Sequence, residues 1–129
     1  MALWNKDEQL TFSQNVSQGS ESRLSKITND VDVRMKGVTS IRLDSMTGQI
    51  EIGKGRALLK MDMEGAEYNA LRGAEDFIRA RRLMFAICVY HNIEDYIRLT
   101  LLMKKFRPDA KFYFRHHGLP PAESVVYAI

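Results

Sequence analysis

The sequence contains a single cysteine, Cys88, among 129 residues, with only three prolines and one tryptophan. One thiol excludes an internal disulfide framework. Its place inside the apolar run Met84 to Tyr90 marks it as a small buried hydrophobe rather than a nucleophile. A reduced, cytoplasmic chain is expected. There is also no apolar run of about 18 residues, so no membrane span is expected. The start, Met1-Ala2-Leu3-Trp4-Asn5-Lys6-Asp7, lacks the basic region and apolar stretch of a signal peptide. Strong charge of one sign is missing too, the net charge being +3 and the isoelectric point about 9.1. The basic clusters Arg79, Arg81, Arg82 and Lys104, Lys105, Arg107 fall at helix ends, where cations complement the macrodipole, so no nucleic-acid partner is implied.

What is present is an ordinary globular composition, 45% hydrophobic and 27% charged, expected to form one domain over residues 1–129. Residues 1–56 read as extended segments and a polar loop. Ala2 to Trp4 and Leu10 to Phe12 are strand ends, and Ser13 to Ser25, rich in Ser, Gln, Asn and Gly, reads as a mobile surface loop. Val31, Val33 and Met35 alternate with polar residues, Val38 to Leu43 continues after Gly37, and Ile50 and Ile52 resume the alternation after the turn Thr47-Gly48. The pair Gly53 and Gly55 precedes a strand, whereas a phosphate-binding loop follows one, so it reads as a plain loop.

Residues 57–129 carry a stronger pattern. Ala57 to Met63 is an apolar run of strand length; Ala70, Leu71, Ala74, Phe77 and Ile78 form a helical stripe ending near Arg82; Met84 to Tyr90 is a second buried run. Asn92 is placed to cap a second helix, with Asp95 in its first turn, whose stripe is Tyr96, Leu99, Leu102, Met103 and Phe106 and whose stop is Pro108. Lys111 to His116 and Glu123 to Ile129 are the last strands. This order predicts an α/β fold: parallel strands with helical crossovers and a last antiparallel strand, since Gly118 to Ala122 is too short for a crossover.

Parallel strands present their C-terminal ends on one edge, where open α/β sheets bind ligands. That topology brings Asp62, Glu64 and Glu67 from the first strand, His91 from the second and His116 or His117 from the third to one place. Such a set suits general acid-base work or a metal. Asp62, Glu64, His91 and His116 are the candidate catalytic residues, with Glu67 and His117 beside the substrate. The carboxylates could instead serve only to stabilise the turn and the following helix, and His91 could be a core histidine. Alternation allows one of His116 and His117 to face the site. Lys60, in the middle of a strand that reads as buried, needs a partner and reads as paired or snorkelling rather than catalytic. Two carboxylates and His91 could also ligate a divalent metal, though no His-x-x-x-His spacing supports it.

The string Leu59-Lys60-Met61-Asp62-Met63-Glu64-Gly65-Ala66-Glu67 resembles FkbM-type methyltransferases. So do Leu71-Arg72-Gly73-Ala74, Val89-Tyr90-His91 with Asp95, Phe112-Tyr113 before His116-His117, and Ser124-Val125-Val126-Tyr127-Ala128. Ala2-Leu3-Trp4-Asn5, Leu10-Thr11-Phe12 and Ile41-Arg42-Leu43-Asp44 are similar to the segments that precede the acidic motif in that family. The resemblance implies a partial Rossmann-like sheet and an S-adenosylmethionine-dependent transfer of a methyl group to a hydroxyl of a small molecule or sugar. It begins at about the family's third strand. The Gly-rich turn and the acid that hold the cofactor are therefore expected to be missing, no cofactor-binding residue is named, and the chain alone is expected to be inactive. The strand 57–63 then has a bare edge, to be covered by the N-terminal segments or by a second copy in a homo-oligomer. The other readings are a non-catalytic oligomerising α/β module and a metal-assisted enzyme using the Asp/Glu/His cluster.

Overall fold

The computed structural model describes residues 1–15, 22–23, 33–51, 57–118 and 123–129. They form an α/β fold with two four-stranded sheets. The first joins β1 (Ala2–Leu3), β2 (Gln9–Asn15), β3 (Ser22–Arg23) and β4 (Val33–Ile41) in the order β1-β4-β2-β3. The second joins β5 (Leu58–Met61), β6 (Met84–Cys88), β7 (Phe112–His116) and β8 (Ser124–Ala128) in the order β5-β6-β8-β7. Helices α1 (Glu67–Arg72) and α2 (Glu75–Ala80) follow β5, and α3 (Asp95–Phe106) follows β6.

Strand β5 runs parallel to β6, and β8 runs antiparallel to both β6 and β7. The last strand is thus inserted between the second and third of the sheet rather than added outside them. Its residues explain the position: Val125, Val126 and Ala128 are buried, whereas β7 exposes most of its residues and suits an edge.

One face of this sheet carries the core. Met61, Phe85, Ile87, Val89, Val126 and Ala128 pack against Leu71, Phe77, Ile78, Leu99, Met103 and Phe106 from the helices. Alternation along each strand sends Ala86, Cys88 and Val125 to the other face, with Tyr90 and Tyr127 against them. No helix among the described residues covers that second face, so Leu58 on β5 is 58% exposed. Lys60 is exposed there as well. It needs no buried partner, because its strand is wet on one side.

Several sequence expectations change. The single helix expected from the stripe Ala70 to Ile78 is two, broken where the chain passes the ends of β1 and β4. The Asp44 carboxylate accepts the Phe77 N–H (2.8 Å), and the Asp44 N–H donates to the Gly73 carbonyl (2.9 Å). Strand β4 runs unbroken through Gly37, which pairs with Thr11. The stretch from Ser13 is not wholly a loop, since Ser13, Gln14 and Asn15 continue β2 opposite Met35, Arg34 and Val33. Backbone pairing needs no apolar side chain. Ile50 lies outside any strand, while Val31, Ile52 and the Gly53 and Gly55 loop fall outside the described residues. Among the described residues the N-terminal segments build their own sheet, and β5 pairs with β6.

The two sheets meet at Gly73. A Cβ there would lie 1.9 Å from the Trp4 carbonyl oxygen, and the Asn5 amide donates to Asn69 Oδ1 (3.2 Å) on α1. Gly73→Ala is therefore expected to destabilise the protein by about 2 kcal/mol or more, as overpacking against backbone does. Urea denaturation would check this, an unchanged midpoint contradicting it.

Candidate functional site

Beyond Met61 the chain turns sharply. Glu64 has φ 53° and Gly65 has φ 94°. A Cβ on Gly65 would come within 3.1 Å of the Asn92 amide, so glycine both permits the left-handed turn and lets the β6 end approach it. The turn sends the chain into α1 with Glu67 in its first turn. The Glu67 side chain is fully buried, and its Oε1 accepts the Met63 N–H at 2.6 Å.

His91 stands three residues beyond β6, with its side chain 8% exposed. Its Nδ1 is 2.9 Å from Glu67 Oε1, and its Nε2 is 3.4 Å from both Asp62 Oδ1 and Glu64 Oε2. These are close approaches without hydrogen-bond alignment: Glu67 Oε2 and both imidazole nitrogens are buried and complete no hydrogen bond. Asp62 and Glu64 are the accessible members, their side chains 40% and 53% exposed. The Tyr90 ring lies 4.2 Å from the imidazole, and its hydroxyl donates to Asp62 Oδ1 at 3.2 Å. Desolvation, followed by the Asp62 charge, raises the Tyr90 phenol, which stays a donor.

Four of the expected residues, Asp62, Glu64, Glu67 and His91, thus meet at the ends of two parallel strands. Glu67 serves both the turn and the cluster. His116 and His117 do not join them, because β8 lies between β6 and β7. His116 Nδ1 is instead 2.9 Å from Ser124 Oγ, which also accepts from the Tyr96 hydroxyl (3.2 Å), and His117 Nε2 is 3.0 Å from the Tyr127 hydroxyl. Asn92 is not the cap of α3. Its amide donates to Asp95 Oδ2 (2.7 Å), and Glu94 precedes the helix. Buried Asp95 also pairs with Arg98. Tyr90 was not singled out from the sequence as a site residue. Its signal was position: it ends the same strand that delivers His91.

A family model for the methyltransferase FkbM domain matches residues 3–114. The chain belongs to the FkbM methyltransferase family. Its fold is similar to a crystal structure of a methyltransferase FkbM from Methylobacillus flagellatus KT, with a TM-score of 0.62 and 29% sequence identity over 72% of the chain. The chain spans 24% of that protein's length. No curated protein sequence matches it. The FkbM match includes β5, α1, β6 and α3, and hence every residue of the cluster.

On the uncovered face of the sheet, Cys88 lies beside the cluster. Burial first, and then the charge of Asp62, pushes its thiol up to about 12. A pKa raised above its free value leaves the thiolate scarce throughout the neutral range. Cys88 is expected to resist iodoacetamide at pH 8 in the native protein and to react readily in urea. Mass spectrometry of the alkylated fraction would check this, fast native labelling contradicting it.

Proposed function

We propose that the chain forms the acceptor side of an S-adenosylmethionine-dependent O-methyltransferase acting on a hydroxyl of a small molecule or sugar. The observation that carries the reading is a single one. In a chain of the FkbM family, a nearly buried imidazole lies within 3.4 Å of three carboxylates at the ends of two parallel strands. Open α/β sheets bind their ligands at such strand ends.

The donor set fits one side of the cofactor. Asp62 and Glu64, accessible carboxylates, suit its cationic sulfonium and ammonium and would hold it there. Bound, S-adenosylmethionine supplies an electrophilic methyl on a sulfur that leaves as a neutral thioether. The remaining work falls to the chain: to orient the acceptor hydroxyl, exclude water and take its proton. His91 Nε2 is the group to receive that proton. Glu67, anchored by the Met63 N–H, lies 2.9 Å from its other nitrogen and balances the imidazolium once formed. The Tyr90 hydroxyl donates to the Asp62 carboxylate next to it.

The reading also has the chain hold the cofactor weakly by itself, the remaining contacts lying outside these residues. Calorimetry with S-adenosylmethionine is expected to give at most millimolar affinity. Backbone NMR with hydroxylated sugar fragments should perturb residues 61–67 and 90–92, and His91→Ala should weaken fragment binding about five- to tenfold, the loss of one hydrogen bond from the hydroxyl to the neutral imidazole. Fragments that perturb only other regions would overturn the acceptor assignment.

The same proposal assigns the free β5 edge to a second copy of the chain. Light scattering should then give the mass of a dimer, and a monomer at high micromolar concentration would refute this part.

A further inference from the structure

Glu67 poses a problem that methyl transfer does not solve. Its carboxylate is fully buried, yet Oε1 receives one backbone N–H and Oε2 completes no hydrogen bond. Burying charge in this way is unfavourable unless a positive partner is close. Among the described residues, the only basic side chain within ion-pair distance of Asp62, Glu64 or Glu67 is His91. Three carboxylates therefore share one imidazole, whose two nitrogens are themselves buried without a completed hydrogen bond.

We propose that Asp62, Glu67 and His91 bind a divalent transition-metal cation, with Glu64 as an outer carboxylate. One ligand atom from each of the three residues lies within 4.8 Å of the others. Bonds of about 2.0–2.2 Å around one ion bring neighbouring ligand atoms to roughly 3–3.5 Å, so the cluster must close by about 1 Å. The members differ in freedom to do this. Glu67 is held by the Met63 N–H and His91 lies against Glu67 and the Tyr90 ring, whereas Asp62 is 40% exposed and can rotate by giving up the exposed 3.2 Å bond from the Tyr90 hydroxyl. Two carboxylate oxygens and an imidazole nitrogen suit Zn²⁺, while Mg²⁺ favours all-oxygen sites and keeps its water. Three protein ligands also leave a coordination position open, as in sites that bind a further ligand.

The inference does not rest on methyl transfer, and it is measured with no cofactor or acceptor present. The two uses of the cluster exclude one another, because an imidazole nitrogen bound to a cation cannot take an acceptor's proton. A cation at this place would act on the proposed function as an inhibitor.

Calorimetry of the full chain with ZnCl₂ at neutral pH should show one equivalent bound at micromolar concentration, with a rise in melting temperature, and MgCl₂ should bind at least about a hundredfold more weakly. Asp62→Asn, an accessible substitution that spares the core, should weaken Zn²⁺ binding at least about tenfold, and Glu67→Gln should do so wherever the variant folds. Glu75→Gln, whose carboxylate pairs with Arg79 on α2, should bind as the parent does. His116→Ala/His117→Ala removes the other imidazoles and should also leave binding intact. Absence of Zn²⁺ binding would overturn the proposal. So would binding that survives Asp62→Asn and disappears with the two surface histidines.

Discussion

The contact between the buried Glu67 carboxylate and the His91 imidazole is the constraint on which the corner depends. Glu67 reaches back to the Met63 N–H, so it closes the turn from β5 into α1. It also reaches across to the ring that follows β6. One side chain thereby sets the distance between the two strand ends. Glu64 and Gly65 can hold their left-handed backbone because the surroundings over-determine it: the turn is tied from below by Glu67 and met from above by Asn92. Asp62 and Glu64 are left as the members free to respond to a ligand.

The asymmetry of the second sheet complements this corner. Its packed face is built from helices α1, α2 and α3, and the opposite face holds a small apolar cluster with exposed Leu58 at the β5 edge. An apolar strand with one free edge and one free face is where a sheet most readily accepts another layer or another strand. Asp62 stands at the end of that strand. Whatever covers β5 would therefore also wall the cluster on its open side and raise the strength of every charge in it.

Much of this was legible in the residues themselves. The apolar runs Ala57 to Met63 and Met84 to Tyr90 and the stripe through Leu99, Met103 and Phe106 correspond to β5, β6 and α3, since a short apolar run and a helical stripe each leave a distinct local pattern. Asp62, Glu64, Glu67 and His91 could be brought together from chain order alone, because parallel neighbours share their C-terminal ends. His116 and His117 could not be placed, because strand order depends on which edge the final strand joins, a matter of packing that no local pattern encodes. The break at Gly73 is of the same kind: the stripe is continuous from Ala70 to Ile78, and the approach of Trp4, just after β1, and of Asp44, just after β4, divides it. Lys60 reads as paired or snorkelling within a buried strand, and it stands exposed, because the open face of the sheet is invisible in a single apolar run.

The insertion of β8 bears on how the sheet is completed. Among the described residues β7 pairs with β8 alone, and β8 joins it to β6. Until residues 124–128 slot between them, residues 112–116 and the facing edge of β6 have unpaired backbone groups. The sheet is thus completed from its interior rather than from an edge, while the Asp62 and His91 corner lies at the ends of β5 and β6, a pair that needs no contact with β7. A partly folded chain in which β8 has not yet paired would carry a bare interior edge, a state in which pairing with another chain is a direct hazard.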